Sequence, residues 1–135
     1  MPSVMADHDV EGQVRILLWV LVSDEWREFW LELGYQIESF ESLGIAVNTA
    51  DDDLWRLCQE CDIVLITGNR NREGAASLEA TIERLGTPES LPVLTIGEPN
   101  RIFSSREYAH QAAERLLEYL DGMDHLRGTG RLFLP

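Results

Sequence analysis

The chain has 135 residues, 44% hydrophobic and 26% charged, which suits one domain around one core and excludes a mainly disordered chain. Its formal net charge is −13, with 24 acidic residues against 11 basic ones, all of them arginine. Such a surface repels polyanions, so any nucleic-acid contact has to be local or shielded by metal ions.

Residues 1–7 lack a basic leader region, so no signal peptide is expected. The longest apolar run, 16–22, is too short to span a bilayer. No membrane partner is therefore expected, and the default address is cytoplasmic.

Residues 3–6 predict a first strand ending at Asp7. Residues 11–33 are helical in pattern, interrupted near Ser23 and Asp24. In the second half Trp26, Phe29, Trp30 and Leu33 recur at helical spacing and predict a core stripe. Trp19 joins Trp26 and Trp30 as expected core, with a homodimer face as the other use of this apolar excess. Gly34 fits the position just past a helix end. Residues 35–40 predict a second strand and 41–48 a loop. Thr49 is the expected N-cap of a helix whose first turn holds Asp51, Asp52 and Asp53. Leu54, Leu57, Cys58 and Cys61 form its apolar face. The two thiols lie at that helix's end, away from the N-terminal dipole that activates redox cysteines, and lack partners for zinc. Both read as reduced, buried thiols.

Residues 62–67 give the clearest strand. Ile63, Val64, Leu65 and Ile66 in succession predict cover on both faces. A turn follows at 68–71, then a helix over 75–85 stopped at Gly86, and a second buried strand over 91–96 closed by Gly97. Ser104 and Glu107 fit a capping box. The helix after it places Tyr108, Ala109, Ala112, Ala113, Leu116, Leu117 and Leu120 on one face. A last strand is expected over 131–134.

This alternation predicts a single α/β domain over 1–135, with three layers and a mostly parallel sheet carrying helices on both faces. Ligands of such sheets bind beyond the C-terminal strand ends. The rule selects Asp7, His8 and Asp9; residues 67–71; Gly97, Glu98 and Asn100; and Asp51 to Asp53.

Acids gathered there from separate segments suit Mg²⁺ or Mn²⁺ and phosphodiester hydrolysis, because hard cations take carboxylate oxygens and keep waters for attack. Asp7, Asp9 and Asp51 (or Asp52) are the candidate metal ligands. Aspartates at strand ends and in first helical turns also serve as caps alone, and both readings stand here. Arg70 either grips a phosphate or pairs with Asp7 or Asp51. Unless it or a cation intervenes the acids repel one another, so Asp7→Asn is expected to stabilise the fold. His8 is a ligand, a base or an exposed loop residue. His110 reads as a boundary position, and no P-loop is present.

The run from Val4 to Asp9 resembles the strand-then-Asp opening of PIN-like domains, specifically their small toxin-like subgroup. The run from Ala50 to Leu54 is similar to that subgroup's acidic helix start after strand two. The strand from Ile63 to Thr67, with Gly68 to Asn71 after it, is similar to its strand followed by an Asp-x-Asp pair. The likeness in order and spacing extends over roughly residues 3 to 120. It implies a Mg²⁺/Mn²⁺-dependent ribonuclease of toxin–antitoxin type with acids as metal ligands. Carried over, the catalytic set is Asp7, Asp9, Asp51 and Asn69, with Asp7, Asp9 and Asp51 on the metal and Arg70 and Asn71 on the bound group. Asn69 and Asn71 stand where the subgroup has Asp, while Asp9 replaces an Asn. Asparagine is neutral and offers one carbonyl oxygen. The expected function is a catalytically weakened or inactive binding module, with the ribonuclease as alternative and a likeness without functional meaning as the third reading. Residues 7–13, 68–74 and 128–135 are also similar to short bacterial proteins labelled acyl-carrier-protein malonyltransferase, although no Gly-x-Ser-x-Gly elbow for serine acyl transfer is present.

Overall fold

The aliphatic run Ile63–Thr67 is a strand buried at every residue, as expected of a strand with cover on both faces. It is the centre of the sheet in a computed structural model describing residues 2–135. The strands are β1 (Ser3–Ala6), β2 (Gln36–Glu38), β3 (Ile63–Thr67), β4 (Val93–Ile96) and β5 (Arg131–Leu134). They lie in the order β2-β1-β3-β4-β5, and every neighbouring pair is parallel. The helices are α1 (Glu11–Leu21), α2 (Arg27–Leu33), α3 (Phe40–Leu43), α4 (Asp51–Glu60), α5 (Leu78–Leu85), α6 (Pro99–Ser104), α7 (Arg106–Asp121) and α8 (Met123–Leu126).

Alternation of side chains along each strand divides the core into two layers. Val4, Val64, Ile66, Leu94, Ile96 and Leu134 pack with residues of α1, α2, α6 and α7, including Val14, Leu17, Trp30, Ala112 and Leu116. On the other face Met5, Ile63 and Leu65 meet Phe40, Leu54 and Cys58, while Val93 meets Trp55 and Leu78. The result is a three-layer α/β sandwich. Among the described residues no helix is long and apolar enough to cross a membrane.

Several local expectations need correction. Of the predicted stripe in α2 only Trp30 is buried; Phe29 is 43% exposed, and Trp19 of α1 is 75% exposed rather than core. Residues 40–43 are a short helix, not a loop, because Ser39 and Ser42 cap each other's amides. Ala50, not Thr49, precedes α4, and the Thr49 hydroxyl donates to Ala46 O instead. Ser105 caps α7 through the Tyr108 amide, one residue later than expected, because α6 extends to Ser104. Cys58 is buried, while Cys61 is exposed.

Candidate functional site

The chain winds outward from β1 to β2, then returns across β1 to place β3 on its other side. That reversal makes the C-terminal ends of β1 and β3 the topological switch point, the position at which doubly wound folds hold ligands. Ala6 pairs with Ile66, and the Asp7 amide donates to Ile66 O at 2.7 Å, so Asp7 and Thr67 leave the sheet side by side.

Asp7 caps a 3-10 turn over His8–Val10. Its Oδ1 accepts from the His8 amide at 2.8 Å, and its Oδ2 accepts from the Thr67 hydroxyl at 2.8 Å. Thr67 is fully buried, and its oxygen accepts from the Asn69 amide at 2.9 Å. The Asn69 side chain then works in two directions. Its Oδ1 accepts from Asn71 N at 2.8 Å, and its Nδ2 donates to Asp51 Oδ2 at 2.9 Å. Asn71 repeats the turn by accepting from Glu73 N at 3.0 Å. One chain of hydrogen bonds thus runs from Asp7 through Thr67 and Asn69 to Asp51.

Asp9 lies at the same strand ends, against Gly68. A Cβ added at Gly68 would lie 3.1 Å from Asp9 Oδ2 and from Val10 Cγ1, so a side chain there would press on the 3-10 turn that packs against the β3 loop. Burial of the carboxyl, then the charges of Asp7 and, more weakly, Asp51, raise the Asp9 pKa; the Gly68 amide opposes this. Asp9 as a residue is exposed, so water screens much of the effect.

Two predicted members point elsewhere. Arg70 pairs with neither Asp7 nor Asp51: its guanidinium donates to Gly97 O and lies 5.6 Å from the Phe133 ring centroid. His8 Nδ1 sits 2.7 Å from Glu11 Oε1 at an exposed position.

The residues that fix the loop from the far side were not singled out in the sequence. Arg131, at the start of β5, has a side chain only 9% exposed. Its Nη1 donates to Asn69 O at 2.8 Å and to Thr95 Oγ1 at 2.6 Å, and its Nε donates to Glu79 Oε2 at 3.0 Å. Nη2 lies 2.8 Å from the same Glu79 oxygen but, buried, completes no hydrogen bond. That ion contact still holds, because charge attraction tolerates angles that a hydrogen bond does not. The available signal was an arginine opening an otherwise apolar strand, since a buried arginine has to be paired.

The donor set does not fit a pair of Mg²⁺ ions. Asn69 turns an N–H toward Asp51 and spends its one carbonyl oxygen on Asn71. Among the described residues no three His, Cys, Asp or Glu side chains are grouped to hold a metal ion. Comparisons with protein-family models, curated proteins and solved structures find no match to this chain.

Proposed function

We propose that this chain is a binding module on a PIN-like plan, with its former metal position closed by an internal hydrogen bond. The supporting observation is the 2.9 Å contact from Asn69 Nδ2 to Asp51 Oδ2. An amide proton supplies Asp51 with the positive partner that a divalent ion would otherwise supply. The reading predicts no cleavage of single-stranded RNA in Mg²⁺. In Asn69→Asp two carboxylates would face each other at this distance, which is tolerable only with a proton or cation between them. That variant, alone or with Asn71→Asp, should melt several degrees lower in chelator and recover when Mn²⁺ is added. Brisk Mg²⁺-dependent cleavage by the natural sequence, abolished by Asp7→Ala, would overturn the module reading.

A toxin-type ribonuclease is the second reading, and Asp9 favours it. Repulsion of Asp9 by Asp7 and, more weakly, by Asp51 is what a single bound Mn²⁺ would relieve. Under it, Mn²⁺ stabilises the natural sequence as well as the Asn69→Asp variant.

A further inference from the structure

We propose that the cavity beside β5 is a binding site for a phosphate-bearing aromatic group, a mononucleotide unit, separate from the polar cluster at the β1/β3 strand ends. The cavity has a volume of about 380 Å³ and is lined by Arg70, Arg72, Glu79, Arg131 and Phe133, among others. That volume lies within the range of small-ligand sites.

Its charge sets it apart. Three of the chain's eleven arginines line it against two acids, Glu79 and Glu83, in a molecule whose net charge is −13. Glu79 is already neutralised by Arg131 at 2.8 Å. Arg72 is exposed and, among the described residues, makes neither a hydrogen bond nor an ion pair, so its planar fork is free for a phosphate.

Its apolar part has a strand-periodic origin. Alternation along β5 turns Leu132 and Leu134 into the main core and puts Arg131 and Phe133 on the opposite face. β5 is an edge strand, and Phe133 stays 47% exposed there with the Arg70 guanidinium 5.6 Å from its ring centroid. Arg70 covers one face of this ring, and the exposed remainder of Phe133 with the guanidinium beside it offers a stacking surface for a nucleobase. The stacking surface and the unpaired Arg72 share one cavity, so the ligand it suits carries both a flat ring and an anionic group. Two sources share this chemistry: a free nucleoside monophosphate and the terminal nucleotide of a single-stranded RNA.

The test is equilibrium titration followed by amide chemical shifts. The probes are adenosine monophosphate, adenosine, inorganic phosphate and a 5′-phosphorylated oligoadenylate, against the full chain and the variants Arg72→Ala and Phe133→Leu. The monophosphate is expected to bind at least tenfold more tightly than adenosine or phosphate, moving the amides of Gly130, Arg131 and Phe133. Each variant is expected to weaken it about tenfold, the loss of one charged hydrogen bond or one stacking contact. Binding of the oligoadenylate alone, with the same sensitivity to both variants, would support the site and assign it to RNA ends. No saturable binding of either nucleotide probe, or binding indifferent to both substitutions, would overturn the proposal.

Discussion

Each oxygen of Asp7 already has a donor, the His8 amide on one side and the Thr67 hydroxyl on the other. Thr67 is fully buried, so its hydroxyl proton has no water to turn to. An amide at position 7 keeps one acceptor oxygen for these two donors. Asp7→Asn is therefore expected to lower stability by about 1 kcal/mol in urea unfolding, reversing the expectation drawn from charge alone. Relief of repulsion toward Asp9 opposes this by only a few tenths of a kcal/mol, roughly; a net gain in stability would show that repulsion prevails. At Asp9 the sign differs. Its raised pKa means that the folded state holds the proton more tightly than the unfolded chain. That contribution to stability is fully present below the ordinary value of 3.8 and is lost as pH rises through the folded-state value. Asp9→Asn should accordingly stabilise the protein at pH 7 and leave it unchanged at pH 3. The gain is about a few tenths of a kcal/mol, because the residue is exposed and screened. Thermal melts at the two pH values check it, and an equal effect at both would mean that ionisation is not the cause.

Arg131 ties β5, the β3 loop and α5 together through Asn69 O, Thr95 and Glu79. Removing one partner of so enclosed a pair strands the other, so Arg131→Met is expected to cost about 3 kcal/mol by denaturant unfolding. Replacing both partners, Arg131→Met with Glu79→Leu, should regain most of that. Amide exchange at residues 69–71 should stay fast in both variants, since neither restores the bond to Asn69 O. Recovered protection in the double variant would show that Arg131 does not position the loop. This tie also marks where sequence patterns stop being informative. β3 was legible because its unbroken aliphatic run matches burial at every residue, and α7 because burial repeats at helical spacing, so that each of its seven anticipated residues is buried. The acids at the strand ends were legible from topology alone. α3 and α6 were missed because helices of four and six residues hold too few turns to show a period, and their starts rest on a mutual serine cap and on Pro99. The partners of Arg70 and Arg131 were illegible for a different reason: they lie 27 and 36 to 62 residues away in sequence, where no local pattern reaches.

Across the protein surface, charge and apolar exposure pull against each other. A net charge of −13 on a chain of this size disfavours any contact between copies at low ionic strength. Yet Trp19 and Phe103 are 75% and 58% exposed on a groove of about 650 Å³ between α1 and the α6–α7 corner. Ile16, Val20 and Ile102 continue its apolar lining, Ser23, Ser104, Arg106 and His110 form the polar part, and no acidic residue lines it. An apolar surface free of acids is where two such chains meet with the least repulsion. Since the opposing term is long-range Coulomb repulsion, it weakens as the screening length shortens from about 30 Å at 0.01 M salt to about 3 Å at 1 M. The apolar term does not weaken with salt. Self-association is therefore expected to be promoted by salt, with a monomer near 0.01 M and a dimer population growing toward 1 M in sedimentation velocity runs. Trp19→Glu should keep the chain monomeric across that range without lowering its melting temperature, because Trp19 contributes little to the core. A monomer at every salt concentration, or a dimer indifferent to Trp19→Glu, would place the function of this groove outside self-association.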